Sequence, residues 1–342
     1  MEELITSEKH LEERLSRPSP ADIEAAAALD GDLLILGAGG KMGPSLAQLA
    51  QRAIEESGKR TRVIAVARFS SPAARTSLDA AGIQTISCDL LNSKSLAELP
   101  DCPNVIFMAA RKFGTTGSEW LTWAMNTYLP ATVAERFRHS RMVAFSTGNV
   151  YSLRKISTGG SVESSEVAPV GEYAQSALGR ERLLQYMSEK WQTPMAILRL
   201  NYAIDLRYGV LSDIARAVFE RRAVDVRMGS VNVIWQGDAN SVCFRALANC
   251  TSPPEIFNVS GPETLSTRYL AEEFGRRFGV EPILTGEESG TALLTNAGRS
   301  HRVFGYPTVP AAQLLDWTAH WVEIGGASLN KLTHFEVRDG KF

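Results

Sequence analysis

Cysteine is scarce in this 342-residue chain, with four residues at 88, 102, 243 and 250 and no CxxC pair among them. Thiols so widely spaced build neither a disulfide scaffold nor a zinc-finger ligand set, so they read as reduced thiols of a cytosolic protein. Histidine is as sparse: His10, His139, His301, His320 and His334 are scattered, and no structural metal is expected. An excess of one charge is also missing. With 36 Lys+Arg against 38 Asp+Glu the net charge is −2, which offers no general field to nucleic acid or an anionic membrane. No run approaches the roughly 18 apolar residues of a membrane span. The opening MEELITSEKHLEERL is charged throughout and has no apolar signal core. A soluble cytoplasmic protein is the expectation.

What remains is an ordinary globular composition, 44% apolar and 22% charged. At roughly 150 residues per domain, the length suggests about two domains or one large α/β unit. Residues 1–30 read as a helical extension. SEKHLEERL forms one short helix, and Ser19-Pro20-Ala21-Asp22 looks like a second helix start, with Ser19 as cap and Asp22 reaching back. This extension is expected to pack on the main domain or on a subunit partner.

From Asp32 onward strands and helices alternate. Leu33–Leu36 is a short apolar run of the kind a strand buried on both faces requires. Further runs come at Val63–Ala67, Ile83–Cys88, Asn104–Ala109, Met142–Ser146 and Ala196–Leu200, with helical segments at 44–57, 118–138 and 174–190. That alternation predicts an α/β fold, a Rossmann-like doubly wound parallel sheet with a smaller C-terminal substrate lobe. Residues 31–200 plus 231–261 form the expected dinucleotide-binding domain, and 201–230 plus 262–342 the lobe. Segment 153–171 reads as a long loop over the sheet's carboxyl edge. Val231–Trp235 looks like a strand returning towards the core, and helices are expected at 266–278 and 311–322.

Between the first strand and its helix lies Gly37-Ala38-Gly39-Gly40-Lys41-Met42-Gly43. Glycines at 37, 40 and 43 give a tight turn, bare backbone against a pyrophosphate, and close helix–strand packing. Lys41 and Met42 complete the cofactor turn. The second strand ends in Ala67-Arg68-Phe69-Ser70-Ser71, with no acid for the ribose hydroxyls of NAD. Arg68, helped by Ser70 or Ser71, suits a 2′-phosphate instead, so NADP is expected ahead of NAD.

These residues resemble the extended short-chain dehydrogenase/reductases, the NAD-dependent epimerase/dehydratase group, from about residue 32 to the C-terminus. The marks are the glycine turn, Cys88-Asp89-Leu90, Met108-Ala109-Ala110 and Asn126. Phe145-Ser146-Thr147-Gly148-Asn149-Val150-Tyr151, Tyr173 and Asn258-Val259-Ser260-Gly261 complete them. The resemblance implies that Asp89 and Leu90 lie at the adenine, with Ala109, Ala110 and Asn126 along the cofactor. It implies that Thr147 bonds the reacting oxygen and that Tyr173 exchanges a proton there. Asn149, Asn201 and Arg207 would meet substrate, with Tyr208 a further candidate. The activity implied is an NAD(P)-dependent oxidoreductase or epimerase acting on a hydroxyl or carbonyl of a sugar, nucleotide-sugar or polyol, in a possible homodimer. The alternative is a catalytically impaired NADP-binding regulatory or sensor protein.

One departure supports that alternative. The family's YxxxK becomes Tyr173-Ala174-Gln175-Ser176-Ala177, so alanine stands where the family's lysine lowers the tyrosine pKa. A tyrosine left near pKa 10 is about a thousandth ionised at pH 7, costing roughly 4 kcal/mol of base competence. Three accounts stay open: a cation from Lys112, Arg154 or Lys155 substitutes; another group catalyses while Tyr173 orients substrate; or NADP binds without turnover. Arg180 reads as part of a structural ion pair. Gly148 and Asn149 stand where the family's dehydratases carry an acidic pair, so dehydration by that route is disfavoured. The basic group Arg221, Arg222 and Arg227 reads as a solvated helix end rather than a diphosphate clamp. Trp317 and Trp321 read as a packed helix face.

Overall fold

In the computed structural model, which describes residues 3–70 and 72–341, the apolar runs line up side by side as parallel strands. They are β1 (Leu33–Leu36), β2 (Val63–Ala67), β3 (Gln84–Ser87), β4 (Asn104–Phe107), β5 (Arg141–Thr147), β6 (Met195–Leu200) and β7 (Glu255–Val259). Their order across the sheet is β7-β6-β5-β4-β1-β2-β3, every pairing parallel. The direction of winding reverses between β1 and β4, which opens a crevice at the carboxyl ends of those strands.

The sequence of β1 shows why the sheet is covered on both faces. Leu33 and Ile35 point into one core with Leu46, Leu49 and Ala50 of the Gly43–Glu56 helix. Leu34 and Leu36 point into the other, with Leu129, Val133 and Leu184. Successive strand side chains face opposite ways, so a strand covered on both faces is apolar wherever no buried partner satisfies a polar side chain. At the sheet's edge β3 is only half covered and correspondingly polar.

A third core lies beyond the sheet. Helices Val210–Phe219, Thr267–Phe278 and Ala311–Glu323 close around Trp317 and Trp321, both fully buried. Ile5, Leu11 and Leu15 of the N-terminal extension enter the same core, while Ala26 and Leu29 join the sheet's own. The extension therefore packs on its own chain, and Ser19 and Asp22 form the reciprocal cap that their spacing predicts. Among the described residues no helix is long and apolar enough to cross a membrane.

Two segments differ from expectation. Val231–Trp235 does not join the central sheet. Ser230–Val231 pairs antiparallel with Leu265–Ser266, and Ile234–Trp235 pairs parallel with Ala203–Ile204, because Asn232 turns aside to bond the Thr295 carbonyl. The helical stretch expected at 118–138 runs from Glu119 to Arg136 and carries a π-turn over Ala124–Tyr128. That bulge leaves Asn126 buried, bonded to both backbone groups of Arg111 in the loop after β4.

Behind the end of β5 runs a buried polar chain. Ser146 Oγ donates to Glu181 at 2.5 Å, Arg199 grips the same carboxylate at 2.6 Å, and Arg199 also donates to the Tyr151 hydroxyl at 2.6 Å. Both charges are almost fully removed from water, so removing one strands the other. Glu181→Ala is expected to cost about 3–5 kcal/mol in urea unfolding. A loss below about 1 kcal/mol would equate this pair with an exposed one.

Candidate active site

Each glycine of the turn after β1 has its own geometry. At Gly37, φ is +93° and a Cβ would stand 2.6 Å from the Ala109 nitrogen, so β1 and β4 could not approach. At Gly43 a Cβ would meet the Ala38 carbonyl oxygen at 2.3 Å, which is the close helix packing read from the sequence. Gly40 differs. Its Cβ would meet only the Gly37 oxygen, at 3.4 Å, so this backbone is bare towards the crevice. A cradle of that form fits a dinucleotide pyrophosphate.

The crevice holds two cavities that share Gly37, Gly40, Met108 and Ala110. The outer one, about 260 Å³, is lined by Arg68, Ser70, Asp89, Leu90 and Ala109. Ser71 lies outside the described residues. The inner cavity, about 340 Å³, is lined by Lys41, Met42, Asn126, Thr147 and Tyr173, with Ala177 and Arg180 beside them. The structure thus gathers most of the sequence-predicted cofactor residues, and both catalytic ones, along one crevice. Gly43 packs behind the turn.

Three substrate candidates are placed elsewhere. Asn201 is buried and donates to Asn232 at 2.8 Å, serving as a tie between segments. Arg207 is consumed by Asp205 at 2.7 Å and by Glu12 of the N-terminal helix at 2.5 Å. Asn149 lines a small neighbouring cavity of about 40 Å³, together with Lys112 and Tyr202. Arg222 and Arg227 are exposed and paired with Glu220 and Asp225; Arg222 lies just past the Val210–Phe219 helix, whereas Arg227 follows the short strand Ala223–Asp225 rather than a helix end. A further cavity of about 510 Å³ lies beneath the N-terminal segment. Its acids are already engaged, Asp22 by Ser19 and Ser241, and Asp238 by Thr308.

Tyr173 and Thr147 line the inner cavity together. Burial raises the tyrosine above its ordinary pKa, while the Thr147 side chain and the Arg180 charge pull it back. Arg180 is not in the expected ion pair. Its guanidinium donates to the carbonyls of Phe145 (2.6 Å), Ala109 (3.1 Å) and Asn126 (3.2 Å), and to Asn126 Oδ1 (3.1 Å). Glu181, one residue on, takes Arg199 instead. Burial lowers Arg180 to about 10 against the influence of Tyr173 and Glu181.

Two lysines were only partly legible. Lys41 leaves the glycine turn, donates to the Ala203 carbonyl at 2.9 Å and lies 4.4 Å from the Tyr208 ring centroid. Burial lowers it to about 8, Asp205 and Asp213 opposing and Arg207 assisting. Lys112 donates to the Thr333 carbonyl at 3.2 Å with its ammonium 6.0 Å from the Tyr173 ring, and burial lowers it also to about 8. Tyr202 and Thr333 complete the wall. Thr333 comes from irregular C-terminal chain that carries no motif, whereas Lys41 was read as part of the cofactor turn and Lys112 as a candidate cation.

Residues 33–209 match the model of the NAD dependent epimerase/dehydratase family, and the chain belongs to that family. No curated protein shows a significant sequence match to it. Among solved structures it is similar to a UDP-glucose 4-epimerase from Thermotoga maritima (15% identity, TM-score 0.69), covering 85% of this chain and 98% of that one. It is similar also to a dTDP-glucose 4,6-dehydratase from Streptomyces venezuelae with NAD bound (18%, TM-score 0.73, covering 85% and 97%). A UDP-glucuronic acid 4-epimerase from Bacillus cereus, complexed with UDP-glucuronic acid and NAD, matches at 18% and TM-score 0.68, covering 85% and 99%. At these identities the likeness is one of fold.

The lysine at the turn has a thermodynamic consequence. Its folded pKa of about 8 lies below the unfolded value of 10.5, so the folded state bears the full cost of the charge below pH 8. Lys41→Met is expected to stabilise the ligand-free protein at pH 7 by up to about 3 kcal/mol, at 1.36 kcal/mol per pKa unit. The gain should fade as pH rises from about 8 to 10.5, where the native lysine has shed its proton and the unfolded one has not. Thermal unfolding of both proteins across that range checks it, and a gain independent of pH would refute it.

Proposed function

We propose that this chain is an NAD(P)-dependent oxidoreductase or epimerase acting on a hydroxyl or carbonyl of a sugar, nucleotide-sugar or related polyol. The observation that carries the reading is the Tyr173–Thr147 pair at the inner end of a crevice floored by the bare Gly40 backbone. The glycine turn would hold the pyrophosphate, Asp89 and Leu90 the adenine, and Ala109 and Ala110 the length between. When bound, the dinucleotide supplies the hydride donor or acceptor.

The chain's own groups then handle the proton. Tyr173, kept protonated by burial, donates to a substrate oxygen that gains charge in the reductive direction. Thr147 lines the same cavity beside it. In the oxidative direction the tyrosine must accept the proton, and Arg180 is the buried cation whose charge favours the phenolate. This supports Arg180, rather than Lys112, Arg154 or Lys155, as the counterpart of the lysine missing at Ala177. Arg154 is turned to Ser161 at 3.1 Å, and Lys155 is exposed on the strand paired with Thr291.

Arg68 and Ser70 in the outer cavity, with no acid at the end of β2, support NADP ahead of NAD. Titration of the protein with both dinucleotides should give tighter NADP binding, lost in Arg68→Ala. Tighter NAD binding by the native protein would remove the preference.

Tyr173→Phe is expected to lower kcat by roughly a hundred- to ten-thousandfold, the usual worth of a positioned acid or base, with dinucleotide affinity unchanged. The check is absorbance of the nicotinamide across a panel of sugars, with a product assay for epimerisation. Unchanged turnover in the variant would remove Tyr173 from the chemistry. Tight NADP binding with no turnover of any sugar would favour the sensor reading, which Ala177 supports.

A further inference from the structure

The last helix, Ala311–Glu323, belongs to the lobe, and beyond it the chain runs without helix or strand to Lys341. The root of this segment is fixed. The Ala327 carbonyl accepts from Trp321 Nε1 at 3.0 Å and from Arg216 at 3.3 Å, both on lobe helices. From Ser328 the chain crosses towards the sheet, where Gly340 lies against Val170 and Gly171. A Cβ at Gly340 would stand 2.2 Å from the Val170 oxygen, and one at Gly171 would stand 2.3 Å from the Gly340 oxygen. Gly171 opens the helix that carries Tyr173.

Between these two ends the segment covers both cavities. Thr333 lines the inner one, and His334, Val337, Arg338 and Gly340 line the small one beside it. Facing them stand Lys112 of the loop after β4, Asn149 after β5 and Tyr202 after β6. What holds the segment down is mostly polar. The Leu329 N–H donates to the Arg207 carbonyl at 3.0 Å, and the Thr333 N–H and hydroxyl donate to Asp213 at 2.9 and 2.6 Å. Lys112 donates to the Thr333 carbonyl at 3.2 Å, and Arg338 to the Thr291 carbonyl at 2.8 Å and hydroxyl at 2.6 Å. Phe335 is buried, whereas Leu329 and Leu332 are exposed.

On opening, such hydrogen bonds are exchanged for bonds to water, so each favours the closed form by a modest margin. Asn330 and His334 add left-handed backbone, at φ +50° and +53°, which works against the closed form. A segment with so few buried apolar contacts opens locally at far less than the cost of global unfolding. We propose that residues 328–341 are a lid, hinged at Ser328 and latched through Arg338 and Gly340, which lifts to admit substrate to the inner cavity and closes over it. Closure shuts water out of the site and sets the lobe against the helix of Tyr173. The lid goes beyond the reaction proposed above and does not depend on it.

The test joins amide hydrogen exchange of the full-length protein to a thiol reporter beneath the lid. Met228 is buried, lines the small cavity and has its sulfur 3.8 Å from Arg338, so Met228→Cys places a thiol under the latch. The N–H groups of Leu329 and Thr333 should exchange about a hundredfold faster than those of Leu33–Leu36. The introduced thiol should react with 5,5′-dithiobis(2-nitrobenzoate) in the folded protein, above the background of the four native cysteines. Arg338→Ala and Gly340→Ala should each speed both processes about tenfold and leave exchange in β1 unchanged. Gly340→Ala acts from the far end and removes no atom that covers Met228. Protection of Leu329 and Thr333 equal to that of β1 overturns the proposal, and the native protein alone decides this. Faster exchange without faster labelling overturns it too, because the segment then frays without uncovering the cavity. Neither readout needs turnover, so loss of the Tyr173 chemistry leaves the lid standing, and an immobile segment leaves that chemistry standing.

Discussion

A parallel sheet ends in carbonyls that no neighbouring strand can satisfy, and at the crevice of this fold they face a cavity. Arg180 resolves that constraint. One guanidinium takes the carbonyls of Ala109 after β4 and Phe145 in β5, and the Asn126 carbonyl and side chain in the π-turn. Unsatisfied, buried carbonyls of this kind would each carry a desolvation cost. Because Arg180 sits on the Gly171–Trp191 helix, the same bonds fix how that helix lies over the sheet. Tyr173 is seven residues away on the same face, so its position against Thr147 follows from the bonding of Arg180.

This arrangement changes what Ala177 means. A lysine at that position would place a second long cation next to Arg180 inside one cavity, where each would raise the cost of the other. Alanine removes the conflict. The guanidinium is well suited to the remaining task, since its planar set of donors can hold several carbonyls at once while an ammonium acts as a compact point charge. What the site gives up is direct depression of the tyrosine pKa, which burial leaves raised. A tyrosine in that state is a better acid than base.

The strands were legible because burial on both faces keeps most of their positions apolar. Leu33–Leu36 and Val63–Ala67 have the bounds read from the sequence. The glycine turn was legible for the same kind of reason, since backbone crowding at Gly37 and Gly43 admits no side chain. Polar side chains in irregular segments were not. Asn201 and Arg207 have residue types that suit a substrate, yet Asn232 and Glu12, distant in sequence, and Asp205, two residues before Arg207, claim their hydrogen bonds. Arg180 was misread because helical spacing gives its distance from Tyr173 along the axis and says nothing of the carbonyls beneath it. The inner wall combines residues near 41, 112, 202 and 333, and no local pattern announces a meeting of that range.

Net charge proved the least informative of the sequence quantities and its distribution the most. Acids and bases nearly cancel over the chain, and several surface arginines sit beside a carboxylate within a few residues, as Arg17 does with Glu13 and Arg227 with Asp225. Such exposed pairs contribute little to stability. The cations of the inner cavity differ in being removed from water, and burial lowers the pKa of Lys41, Lys112 and Arg180 alike. Arg180 repays that cost through the carbonyls it satisfies. Lys41 and Lys112 donate to the carbonyls of Ala203 and Thr333, and so tie the glycine turn and the loop after β4 to the far wall of the cavity.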